Sequence, residues 1–83
     1  MSATHDVIAE LPGTFYTRES PSSDAYVVVG GTVAEGDTVG LIEVMKMFNP
    51  VVSGFSGTVV EVCFESEDSV DVGDVLVRIE AAE

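Results

Sequence analysis

An all-β barrel or sandwich made of two similar halves is what this sequence predicts, and three observations predict it. The first is composition: valine fills sixteen of 83 positions, and β-branched side chains resist helix and suit a pleated, half-buried surface. The second is period: Val60, Val62 and Phe64 fall on one strand face with Glu61 between them, while no window carries a helical stripe. The third is an internal repeat. Val33-Ala34-Glu35-Gly36-Asp37-Thr38-Val39 returns as Val70-Asp71-Val72-Gly73-Asp74-Val75-Leu76, displaced by 37 positions, and Ile42-Glu43 returns as Ile79-Glu80 at the same displacement.

Eight glycines and three prolines punctuate the chain, and strands are expected between them at 8–11, 14–16, 26–29, 38–44, 47–52, 57–64 and 75–80. Gly36-Asp37 and Gly73-Asp74 supply turns, because glycine accepts positive φ without steric cost, and each turn feeds a strand. Gly13-Thr14 returns as Gly57-Thr58, but at a displacement of 44. The first half therefore carries extra residues between Tyr16 and Val33. The polar, proline-containing stretch 17–24 is the natural place for them. The halves are related by a quasi-twofold with a loop inserted in one.

Length and charge narrow the function classes. The chain is one small domain with a modest core. It holds no apolar run long enough to span a bilayer and no secretory leader. Cys63 has no partner cysteine, which points to a reducing compartment and a cytoplasmic location. Fifteen Asp and Glu face only Arg18, Lys46 and Arg78, a balance that disfavours nucleic acid and anionic membrane as partners. Apolar residues interleave with the acids, so the chain is a folded domain, and a monomer is expected because closing the sheets leaves no exposed apolar repeat. His5 is expected as a solvated residue of a ragged N-terminal segment, and with no second histidine it offers no metal site. Cys63 is expected to pack on a strand, with no adjacent base to make it a nucleophile. Asp24, Asp37 and Asp74 read as turn residues, and the glycines lack the spacing of a phosphate loop. No catalytic constellation emerges.

The singular residue is Lys46, the only lysine. It lies between two apolar strand stretches, which places Met45 and Lys46 at the corner of a tight hairpin. Neither is the asparagine or glycine that such a corner prefers, and local rules fail most often at functional sites. Met45 and Met47 add soft, adaptable contact surface beside it. A solvated loop lysine is the plain alternative. A Schiff-base nucleophile is a third, but it needs a buried pocket, which a hairpin tip does not supply.

Glu43-Val44-Met45-Lys46-Met47 resembles the attachment motif of biotinyl domains, which usually reads Glu-Ala-Met-Lys-Met. Gly13-Thr14-Phe15-Tyr16, Ser20-Pro21, Gly36-Asp37-Thr38, Phe48-Asn49 and Ser56-Gly57-Thr58-Val59 are similar to blocks of the carrier subunits of acetyl-CoA carboxylases. The resemblance spans about residues 11 to 80. It implies a biotinyl/lipoyl hammerhead fold, a flattened β-barrel of two four-stranded sheets with the lysine at a hairpin tip opposite the termini. It also implies a short N-terminal segment, 1–10, followed by a biotinyl domain, 11–83, with a thumb-like insert near 17–25.

The function implied is that of a biotin carboxyl carrier, not catalytic alone. A biotin protein ligase would attach biotin covalently to Lys46, reading Met45, Met47, Glu43 and Val44 around it. The biotin would then carry activated CO2 from a biotin carboxylase to a carboxyltransferase, for acetyl-CoA carboxylation to malonyl-CoA in fatty acid synthesis. The cofactor carries the chemistry and the domain carries the cofactor. Val44 departs from the usual alanine, which leaves an unmodified biotinyl-like interaction domain as an alternative. A lipoyl carrier of a 2-oxoacid dehydrogenase complex is another, although lipoyl sites usually read Asp-Lys-Ala.

Overall fold

Residues 3–81 are described by the computed structural model, and their regular structure is eight short strands. In chain order these are β1 (Thr4–Ile8), β2 (Gly13–Tyr16), β3 (Thr32–Val33), β4 (Thr38–Val44), β5 (Met47–Val52), β6 (Gly57–Val62), β7 (Asp68–Val70) and β8 (Val75–Ala81). They form two four-stranded sheets, ordered β1-β8-β6-β3 and β5-β4-β2-β7, with every pairing antiparallel. Exchanging β1 with β5, β2 with β6, β3 with β7 and β4 with β8 turns one order into the other. The repeat in the sequence is thus a twofold that swaps the sheets. Among the described strands, β4–β5 is the only consecutive pair that stays in one sheet.

The turns obey the twofold in detail. Gly36 and Gly73 have φ of 94° and 93°, the left-handed region where a side chain is strained. One residue on, Asp37 Oδ2 accepts from Ala34 N at 2.9 Å and Asp74 Oδ2 accepts from Asp71 N at 2.8 Å. Gly36 N donates to Ser53 O and Gly73 N to Ala9 O, while Ser53 N and Ala9 N donate back to Asp37 O and Asp74 O. Ser53 and Ala9 are both buried at these crossings, and Ser53 Oγ satisfies itself on Phe55 O at 2.5 Å. Between the sheets, Phe15, Val39, Ile42, Val59, Leu76, Val77 and Ile79 form the centre of the core. Each such burial stabilises the fold by roughly 1.5–3 kcal/mol relative to an exposed side chain.

Four expectations change. The strand expected at 8–11 lies earlier, at Thr4–Ile8, and pairs with β8 from Thr4↔Glu80 to Ile8↔Val75. Residues first read as a ragged segment therefore form a sheet edge. His5 is half-buried there and stacks on Phe55, with ring centroids 3.9 Å apart and planes 7° apart.

The stretch 26–29 is no strand. The insert closes on itself through Tyr26 N→Thr17 O and an Arg18↔Ala25 bridge, which carries Val28 and Val29 into an exposed turn. The partner of β6 is instead Thr32–Val33. A register shift between Val59 and Glu61 turns Val60 outward, because a bulge inserts one residue and breaks the alternation. β6 accordingly ends at Val62, with Val59 buried and Val62 and Phe64 packed against the core. Finally, β7 escaped the sequence reading because Asp68 and Ser69 are polar and only Val70 is buried.

Candidate functional site: the β4–β5 hairpin tip

β4 and β5 pair in register from Leu41↔Pro50 through Glu43↔Phe48 to Val44↔Met47, leaving Met45 and Lys46 as the two turn residues. Their φ values are 50° and 68°. Positive φ at both central positions is the demand of a type I′ hairpin, whose twist matches the strands it joins. Asparagine and glycine meet that demand readily; a bulky side chain there costs roughly 1–2 kcal/mol per residue. Asn49 steadies the hairpin from inside, its Nδ2 donating to Ile42 O and Met47 O, each at 3.3 Å.

The side chains presented are apolar and open. Met45 is 91% exposed, Met47 70% and Phe48 56%, and Lys46 is exposed between the methionines. Of the other two cations, Arg78 is paired with Asp6 at 3.3 Å and Glu61 at 2.7 Å, and Arg18 Nη1 donates to Ser23 O at 3.2 Å. Among the described residues Lys46 makes no ion pair. Exposed as it is, and without a carboxylate partner among the described residues, its amine lacks the burial Schiff-base chemistry needs and suits acylation by an external donor.

Glu43 and Val44 take opposite faces of β4. Val44 is half-buried and packs against the core. Its side chain shares the inward face of β4 with buried Ile42, so its extra bulk over alanine packs against the barrel end. Glu43 faces outward, and Tyr16 Oη donates to Glu43 Oε1 at 3.0 Å. The Tyr16 ring also tilts against Phe48, with centroids 5.7 Å apart and planes at 56°. That hydrogen bond and partial burial push the Tyr16 hydroxyl's pKa up from its ordinary value. Sequence reasoning noted Tyr16 and Phe48 only as parts of motif blocks. Their joint place beside Glu43 depends on the β2–β4–β5 register, which no local pattern records.

The insert is a small closed hairpin with Ser20, Pro21, Ser22 and Ser23 at its turn. Ser23 N donates to Ser20 O at 3.0 Å, and the Ser20 and Ser23 hydroxyls meet at 2.8 Å. Its base is anchored away from the tip, with Thr17 N donating to Ser66 Oγ at 3.1 Å. Thr17, Arg18, Ala25 and Val27 share a groove with Val62 and Phe64. Among the described residues no hydrogen bond joins insert to hairpin tip. Elsewhere, Cys63 is half-buried beyond the end of β6, and burial, then the nearby Glu61 carboxylate, pushes its thiol pKa up, the opposite of an activated thiolate.

The chain as a whole has known counterparts. The family model for biotin/lipoyl domains, described as "Biotin-requiring enzyme", matches residues 5–79. The chain belongs to the biotin/lipoyl family. It is 40% identical over 73 residues to the biotin carboxyl carrier protein of acetyl-CoA carboxylase from Chlamydia trachomatis, covering 88% of this chain and 44% of that protein. It is 37% identical over 78 residues to the protein of the same name from Streptococcus pyogenes, covering 93% of this chain and 47% of that one. The chain thus spans about half the length of these relatives. Among solved structures it is similar to Kluyveromyces lactis urea carboxylase, at 28% identity and a TM-score of 0.76, over 93% of this chain and 6% of that one.

Proposed function

We propose that this biotin/lipoyl domain is a biotin carboxyl carrier, with biotin attached through an amide to Lys46 Nζ. The observation that carries the reading is the tip itself: the only lysine, without an ion pair among the described residues, at a strained turn between exposed Met45 and Met47. A biotin protein ligase would present biotinyl-adenylate; the deprotonated amine attacks the acyl carbon, AMP leaves, and the nitrogen sheds its second proton. Met45, Met47 and the outward Glu43 are the features a ligase can read there, and the rigid β4–β5 ladder fixes where they stand. Once bound, biotin supplies a ureido ring that takes up CO2 in a biotin carboxylase and yields it in a carboxyltransferase. The names of the relatives favour acetyl-CoA as the acceptor, and hence malonyl-CoA formation. The chain's own part is to hold and deliver the group as a carrier subunit, since tethering raises its effective concentration at both enzymes.

The test is intact mass after incubation with a biotin ligase, ATP and biotin. One biotinyl group should be added, and Lys46→Arg should abolish the gain. An unchanged mass with the protein folded and the ligase active on a control carrier would sink the reading. A gain with a lipoate ligase and lipoate instead would reassign the cargo.

A further inference from the structure

Resting on that reading of Lys46, we infer that Tyr16 is a positioning residue: it clasps the Glu43 carboxylate against β2 and so keeps Lys46 free for acylation. Glu43 stands three residues before Lys46 on the outer face of β4, opposite Phe48 and one pair below the Val44–Met47 pair that closes the turn. Tyr16 lies opposite Leu41, so its side chain reaches Glu43 diagonally, toward the tip. The 3.0 Å hydrogen bond engages Glu43 Oε1, and the ring's contact with Phe48 holds the tyrosine in that pose. Tyr16, Glu43 and Phe48 thereby link all three strands that support the hairpin.

The quasi-twofold supplies an internal control. Glu43 and Phe48 correspond to Glu80 and Thr4, while Tyr16, which pairs with Leu41, corresponds to Glu61, which pairs with Arg78 just past the bulge at Val60. The acid is present in both halves, yet only the one beside the lysine has a tyrosine to hold it. A pairing needed by the fold would be expected in both. In a chain with fifteen acids and three cations, a carboxylate released beside a lone ammonium would pair with it. Pairing favours the protonated amine, which is not a nucleophile. The hydrogen bond to Glu43 and, after it, burial raise the Tyr16 pKa, which favours the neutral hydroxyl that can donate.

Because Lys46 is the only lysine, its reactivity can be read without any ligase. Wild type, Tyr16→Phe, Glu43→Gln and the double variant are treated with a small N-hydroxysuccinimide ester across a pH series. Lys46 labelling is separated from N-terminal labelling by peptide mass. Tyr16→Phe keeps the ring and the Phe48 contact, so the domain stays folded, which circular dichroism checks. The expected result is a rate at Lys46 about two- to threefold lower in Tyr16→Phe, the size of an exposed ion pair's effect. The pH–rate profile should move to higher pH, and the deficit should vanish in high salt. Adding Glu43→Gln to Tyr16→Phe should restore the wild-type rate. Equal rates in wild type and Tyr16→Phe, or a deficit that Glu43→Gln fails to restore, would overturn the clasp. Failure of a biotin ligase to modify the wild type would overturn the carrier reading while the chemical profile still decides the clasp.

Discussion

The hairpin tip and its quasi-equivalent at the other end of the barrel are built on one backbone plan and dressed differently. The Val44–Met47 pair that closes the β4–β5 turn maps onto Ala81 and Ala3, where Ala81 N donates to Ala3 O at 2.7 Å. Phe48 maps onto Thr4, and Tyr16 onto Glu61, the residue opposite Arg78 beyond the bulge. The fold is therefore content with alanine, threonine and glutamate at positions where the tip carries methionine, phenylalanine and tyrosine. The barrel itself does not require the larger residues of the tip, of which Met47 and Phe48 stand exposed. The cores of the two halves teach a related lesson. Phe15 and Gly40 correspond to Val59 and Val77, and the Phe15 ring occupies the space where a Gly40 side chain would begin. One half uses a large and an absent side chain where the other uses two of middle size, and both are buried.

The largest effects come from breaking that volume exchange. Phe15→Ala should destabilise by about 3–5 kcal/mol, through lost burial and an unfilled cavity. Phe15→Val and Gly40→Val should each destabilise alone, the first by a cavity and the second by collision with the ring. Together they should cost at least about 1 kcal/mol less than their sum, because neighbours that share one space are not additive. Urea unfolding measures all three, and simple additivity would show that the halves do not exchange volume. A middle-sized effect tests the tip. Replacing Met45 by Asn and Lys46 by Gly should stabilise the domain by about 2 kcal/mol, relieving two strained φ values, while removing the attachment point. An unchanged urea midpoint would mean the turn stores no strain.

The smallest effect sharpens the contrast between Tyr16 and its counterpart Glu61. The Tyr16 pKa is raised above 10.0, first by the hydrogen bond to Glu43 and then by burial. A raised pKa means the folded state favours the neutral phenol. The stability this contributes is fully present below pH 10 and is lost as pH rises through the folded-state value. Wild type should therefore lose stability above pH 10 more steeply than Tyr16→Phe, as urea midpoints collected between pH 8 and 11 would show. Parallel curves would remove the hydrogen bond from the stability of the hairpin.

Much of this was legible in the residues. The displacement of 37 that aligned Gly36-Asp37 with Gly73-Asp74 also relates β4 to β8, and the turn at Met45-Lys46 follows from apolar stretches on both sides of it. Less legible were the features that depend on a partner strand. Val60 looked like core until the bulge opposite Arg78 turned it outward. Val28 and Val29 looked like a strand, yet the insert's own closure leaves them without a neighbour to pair with. His5 looked solvated because nothing nearby in the chain announces Phe55, fifty residues on.

Periodicity, turn chemistry and the repeat are local properties, and they were enough to determine a two-half β domain with its lone lysine at a corner. Register is a property of two strands at once. Only the tertiary structure decided that Val44 turns into the core, that Glu43 is held by Tyr16, and that β1 begins at Thr4. The reason is physical: period two says that neighbouring side chains alternate, but which face is inside depends on the strand or sheet that covers it.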